Sequence, residues 1–147
     1  MTTFPDLSVP LREAIVSSAE ITALLPAYKG SYPVFTRRPI PADAPSPRLV
    51  ISPNLATTHE DGICDIRVRV EREIYISGEN DADWQRVDQI ARKLVALFHR
   101  KRQNLSLQDG WRVTNILAST YGLPPIDAND PAAQMAVRLT ITIAARR

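Results

Sequence analysis

Cys64-Asp65-Ile66-Arg67-Val68-Arg69-Val70-Glu71-Arg72-Glu73-Ile74-Tyr75-Ile76 is the stretch that decides the fold. Apart from Arg72, its even positions are apolar: Cys64, Ile66, Val68, Val70, Ile74 and Ile76. The odd positions are charged until Tyr75. Alternation with period two, sustained this long, describes a strand with one face on a core and one in water, as antiparallel sheets provide. At about 3.3 Å per residue it spans roughly 40 Å, about twice the usual strand. Part of it is therefore expected to run past the core. Arg72 marks either that point or a bulge.

Downstream, Gly78-Glu79-Asn80-Asp81 reads as a turn leading into a helix, with Asp81 as cap and Asp83 in the first turn. Trp84, Val87, Ile90, Ala91, Leu94, Val95 and Phe98 follow helical spacing, and Arg86, Asp88, Gln89, Arg92 and Lys93 fill the opposite side. His99-Arg100-Lys101-Arg102 suits a helix C-terminus, where cations meet the negative dipole end. Two further strands close the chain. In one, Trp111, Val113, Asn115 and Leu117 share a face; in the other, Met135, Val137, Leu139, Ile141 and Ile143 do. The connection over 122–131, with Pro124-Pro125, Asp127 and Asp130, is too long for a tight hairpin.

Upstream, Ser8 is placed to cap a helix whose Leu11, Ala14, Ile15 and Ser18 share a face. Ser17 and Glu20 have the spacing of a capping box, which predicts a break and a second short helix ending at Leu25, before Pro26. Pro33, Pro39, Pro41, Pro45, Pro47 and Pro53 then crowd into 33–53. Proline fixes φ and removes a donor, so this region is neither helix nor central strand. It reads as two short strands, 32–36 and 48–52, joined by an extended proline-rich arm. The residues over 54–62 read as a loop with His59 at its tip.

The pattern predicts an α+β fold, a mostly antiparallel sheet with an amphipathic helix packed on one face and helices at the N-terminus. With 147 residues, 44% of them hydrophobic, the chain (1–147) suits one domain. Lys plus Arg number 18 and Asp plus Glu 16, too even a balance for a dedicated duplex-binding protein. No apolar run reaches the roughly 20 residues of a membrane span. Residues 1–8 lack the charged and then apolar pattern of a secretory leader.

Little chemistry is written in the chain. Phosphate-binding glycine loops, nucleophile elbows and zinc-protease motifs are all missing from it. One cysteine and two histidines leave a zinc site short of ligands. Cys64 and His59 make a nucleophile and base on paper, but on the apolar face of a strand a cysteine is ordinarily a small buried hydrophobe. Runs 79–83 and 127–130 are acidic but lack the calcium-loop pattern, and capping and turn formation account for them. The sequence therefore predicts neither catalytic residues nor a cofactor nor a metal. The basic run 99–102, with Arg112, is the place where a nucleic-acid-binding module would make its contacts. Arg37 and Arg38, on the extended arm, suit docking onto the carboxylates of a neighbouring chain. Arg67, Arg69, Glu71, Glu73 and Arg138 are expected to form a dense mixed-charge sheet face.

The layout resembles the tail terminator, or tail-completion, proteins of long-tailed bacteriophages. The likeness is carried in order by Ala19-Glu20-Ile21-Thr22-Ala23-Leu24-Leu25, by the tract from Tyr32-Pro33 to Pro45-Ser46-Pro47-Arg48-Leu49-Val50, by Arg67-Val68-Arg69-Val70-Glu71 and the helix after it, and by Ala136-Val137-Arg138-Leu139-Thr140-Ile141. It covers nearly the whole chain. The resemblance implies a non-enzymatic virion protein, assembled in the host cytoplasm. Six copies would form a ring that caps the tail tube, stops its growth and meets the head connector, while genomic DNA passes through without sequence-specific binding. A head-completion or neck ring is the neighbouring alternative. On that reading Arg37, Arg38, Arg67, Arg69, Glu71 and Glu73 are candidates for subunit and partner contacts. His59, Glu60 and Asp61 are candidates for touching the tube. A globule of this length is about 38 Å across, so six in a ring leave a hole of roughly 38 Å and three only about 6 Å. The larger ring admits a duplex roughly 20 Å wide.

Overall fold

The computed structural model describes residues 5–37, 40–79, 83–122 and 133–146. Arg38, Asp81 and the connection with Pro124, Pro125, Asp127 and Asp130 lie outside them. The elements are α1 (Ser8–Val16), α2 (Ala19–Thr22), β1 (Val34–Phe35), β2 (Arg48–Ile51), β3 (Ala56–Asp61), β4 (Asp65–Gly78), α3 (Trp84–Phe98), β5 (Arg112–Gly122) and β6 (Ala133–Arg146). All six strands join one sheet in the order β1-β2-β4-β6-β5, with β3 also on β4. The fold is α+β: a six-stranded sheet with α3 packed against it and short helices at the N-terminus.

The alternating stretch is β4, the strand from which the sheet is built. It pairs residue for residue with β6, from Asp65↔Arg146 to Gly78↔Ala133. Its other edge is shared by two strands. β2 covers one half (Arg48↔Ser77 to Ile51↔Ile74), and β3 covers the other (Ala56↔Glu71 to Asp61↔Ile66). The region 54–62, expected as a loop, is thus mostly a strand. Its Thr-Thr-His run has no apolar alternation because Ala56, Thr57, Thr58 and His59 are all exposed. The arm returns β1 to lie parallel beside β2, Val34↔Leu49.

Val68, Val70, Ile74 and Ile76 of β4, with Val137, Leu139, Ile141 and Ile143 of β6, form the buried sheet face. Ile90, Leu94 and Phe98 of α3 cover it, and Leu11, Ile15 and Ile21 extend the cluster. Each such side chain contributes roughly 1.5–3 kcal/mol by burial. Gly78 is required by close approach, since a Cβ there would stand 2.5 Å from Asp83 Cβ and 3.1 Å from Val87 Cγ2.

Several local expectations are corrected. Cys64 is exposed beside Ile63, which is 98% exposed, in the turn before β4; it is not a core residue. Arg72 marks neither the end of the core nor a bulge in β4. It is 4% exposed, and its guanidinium donates to the Ser52 carbonyl and the Ser8 hydroxyl, both distant in sequence. Trp84 opens α3 at 55% exposure, and the buried place at that end is taken by Asp83. Asp83 accepts from Ser46 Oγ at 2.5 Å and from the Glu79 N–H at 3.1 Å, tying the arm to the helix start. Ser8 is the first helical residue, its N–H satisfied by Asp6 Oδ1 at 2.9 Å. The break after α1 is present, but Ser18 is the N-cap of α2 and no capping side chain bonds there. Glu20 instead reaches Lys93 at 3.3 Å. His99 turns to the sheet rather than to the helix end: its Nδ1 accepts the Ala118 N–H at 3.0 Å.

β5 is in the opposite phase to the one expected beyond Val113. A bulge lies between Val113 and Asn115, so Val113, Ile116 and Ala118 are buried, and Asn115 and Leu117 face out. One extra residue reverses every later side chain.

Candidate assembly surface

Residues matched across neighbouring strands share a face, so the pairing registers map the solvent side of the sheet row by row. One row is Glu60–Arg67–Ala144–Arg112, from β3 through β4 and β6 to β5. The next are Thr58–Arg69–Thr142–Asn115 and Ala56–Glu71–Thr140–Leu117. Glu73–Arg138–Ser119 follows, and then Phe35–Val50–Tyr75–Ala136–Tyr121. The face is therefore charged over most of its length and aromatic at one end. Arg67, Arg69, Glu71, Glu73 and Arg138 do share it, as the alternation predicted.

The charges are locally compensated. Arg138 Nη2 donates to Glu71 Oε2 at 2.9 Å. Asp65 Oδ2 accepts from Arg67 Nε at 3.3 Å and Arg112 Nη2 at 3.4 Å. Tyr75 donates to Glu73 Oε2 at 2.6 Å. Partial burial pushes the Glu73 carboxyl up, but hydrogen bonds from Tyr121 and Tyr75 and the charge of Arg138 outweigh it and hold it below the ordinary glutamate value. Partial burial and the Glu73 carboxylate push the Tyr121 phenol up to about 12. Solvent-exposed pairs of this kind are worth about 0–1 kcal/mol each, so the arrangement sets shape and complementarity more than stability.

Arg37 lies past the end of β1, away from the charged rows. It lines a groove of about 590 Å³ with Val50, Pro53, Leu55 and Tyr75, and a second of about 440 Å³ with Arg12, Tyr28 and Phe35. His59 is exposed on β3, and Glu60 and Asp61 complete that edge strand. The sequence did not single out Tyr121, which lies on β5 beyond the alternating residues read there. The bulge that keeps Ile116 and Ala118 on the core has no signature in composition. Among the described residues, no three His, Cys, Asp or Glu side chains are grouped to hold a metal. None of the described helices is long and apolar enough to cross a membrane.

No family model matches the chain, and no curated protein matches it. A solved structure does. A chain from the virion of a native gene transfer agent particle superposes with a TM-score of 0.69, covering 97% of this chain and 96% of that one, at 12% identity. A second solved chain, 16% identical over 95% of each, reaches only 0.48 and carries no argument. At 12% identity the first match speaks to architecture: the protein is similar in fold, from end to end, to a chain of that virion.

Proposed function

We propose that this protein is a structural virion component without bond-making activity. On this reading it forms a ring, of six copies, that caps the tail tube, stops its growth and joins it to the head connector. One observation carries the proposal: the fold match runs the length of both chains, and the matched chain belongs to a virion. The mixed-charge face of Arg67, Arg69, Glu71 and Glu73 and the Arg37 grooves are its partner surfaces. The β3–β4 hairpin, from His59, Glu60 and Asp61 to the exposed Ile63 and Cys64, is its tube contact on this reading.

Deleting the gene from the producing genome and imaging the particles tests this. Tubes of uncontrolled length support the terminator role. Tubes of normal length that fail to join filled heads move the ring to the neck. Normal, infective particles overturn the reading.

A further inference from the structure

β3 leaves one side of the sheet open. β1 lies outside β2, but among the described residues no strand lies outside β3. The Gly62 N–H donates to the Asp65 carbonyl at 3.0 Å, one step past the β3–β4 ladder. Bonded pairs alternate along an antiparallel ladder. Ala56, Thr58 and Glu60 therefore bond to β4, while Thr57, His59 and Asp61 turn both backbone groups outward. Ala56, Thr57, Thr58 and His59 are all exposed, and successive side chains alternate faces, so both faces of that run meet solvent. An edge is ordinarily protected by a proline, a lysine or a bulge, and β3 has none of these. Two apolar side chains flank it: Leu55, 46% exposed, and Ile63, 98% exposed. They stand at equal distances in sequence on either side of His59. Leu55 lines the groove of about 590 Å³ with Arg37, Val50, Pro53 and Tyr75.

We infer that this edge pairs with β3 of a second copy of this chain, antiparallel about a two-fold axis at His59. Reversed end to end, a copy presents the same outward residues. Thr57 then meets Asp61, His59 meets His59 and Asp61 meets Thr57, and each pair exchanges both of its backbone bonds. Registers centred on Thr58 or Glu60 lose one of these pairs from β3. The His59 register also brings Leu55 of one copy level with Ile63 of the other. The exposed tip of each hairpin thus arrives beside the groove that Leu55 lines on its twin. A second copy satisfies both ends by symmetry, which a strand of other sequence does not. The far edge of the sheet is no rival, because the Arg100 N–H donates to the Ile116 carbonyl at 2.8 Å and the Ala118 N–H is taken by His99. This contact goes beyond the virion reading and does not rest on it. A two-fold pair joins two copies and does not extend into a ring, so it describes the free protein.

Sedimentation and native mass of the full-length protein over a wide concentration range test this, with amide exchange read residue by residue. Wild type should form a dimer. The Thr57 and His59 amides should gain protection as concentration rises, while the Thr58 amide, already bonded to β4, should change little. His59→Pro removes an outward donor from each copy without touching the β3–β4 ladder, and should weaken the dimer at least about tenfold. Ile63→Ser should weaken it by a similar factor, and a side chain so exposed can be changed without harm to the free fold. Circular dichroism checks that both variants fold. A wild type that stays monomeric overturns the inference, as does a dimer that either variant leaves intact. Exchange at Thr57 and His59 that ignores concentration overturns it too. Protection that appears only with tube protein gives the edge to the tube instead. A larger assembly that both variants build as well as wild type sinks this contact and leaves the virion role standing.

Discussion

Arg72 Nη1 donates to the Ser52 carbonyl at 2.6 Å, where β2 leaves the sheet before β3 begins. Its Nη2 donates to Ser8 Oγ at 3.0 Å and reaches Asp6 Oδ1 at 3.4 Å. One side chain thus joins the middle of β4 to the excursion over 52–55 and to the start of α1. Burial pulls the Arg72 pKa down, opposed by Asp6, but a guanidinium stays charged at any pH the fold survives.

Arg72→Ala should cost about 2–4 kcal/mol in urea unfolding, since it opens a cavity and strands the Ser52 carbonyl. Arg72→Met, which keeps the volume, should cost less. Hydrogen exchange should loosen first in α1, the element that Arg72 holds.

Acid should act on the same joint. The Ser8 N–H, together with the Ser8 hydroxyl and Arg72, holds the Asp6 carboxyl below its ordinary value against the opposing effect of burial. A depressed carboxyl stabilises fully above its unfolded pKa of about 3.9, and that stability drains away as pH falls through the lower folded value. Urea titrations from pH 6 to 2 should therefore show a flatter loss for Asp6→Asn than for wild type. Asp6 is largely exposed, so the difference should be small, below about 1 kcal/mol.

Tyr121 should answer at the other end of the scale. Its folded pKa is about 12, above the unfolded value of about 10. The sign is reversed from Asp6: the contribution is complete below pH 10 and lost as pH rises toward 12. Absorbance titration should show one phenol ionising late, and Tyr121→Phe should remove that late step.

Deleting Thr114 should cost less than about 2 kcal/mol in urea unfolding, because it removes only the bulged residue. Val113, Asn115 and Ile116 then follow plain alternation opposite Ile143, Thr142 and Ile141, and Val113 and Ile116 both stay on the core. Thr114→Ala keeps the backbone count and loses only the hydroxyl's bond to the Thr142 carbonyl at 3.1 Å. It should cost about 1 kcal/mol.

Cys64 should react with a thiol reagent at the same rate folded and in urea, since it is exposed in a turn. Cys64→Ser should leave stability within about 0.5 kcal/mol.

What could be read from the residues was whatever rested on periodicity. β4, β6 and α3 announce themselves because their apolar positions recur at the spacing of the element. The mixed-charge face came with β4, as the other half of the same alternation. β3 could not be read, since its exposed Thr-Thr-His run has no apolar pattern to show. Cys64 and Trp84 were misplaced because they continue a periodicity one step past the end of the packed surface. Arg72 looked like an interruption because its acceptors come from residues 20 and more positions away. Asn115 and Leu117 were placed on the wrong face because the bulge at Thr114 is not visible in one dimension.

The full-length pairing of β4 with β6 has a mechanical consequence. Fourteen residues of each strand are matched without a gap. A pull along the strand axis loads that whole ladder in shear, so its hydrogen bonds must yield together. A pull across the sheet unzips them one by one. Tension transmitted along β4 therefore meets the stiffest direction of the molecule, and the two-residue contact of β1 with β2 is where a crosswise force would open it first.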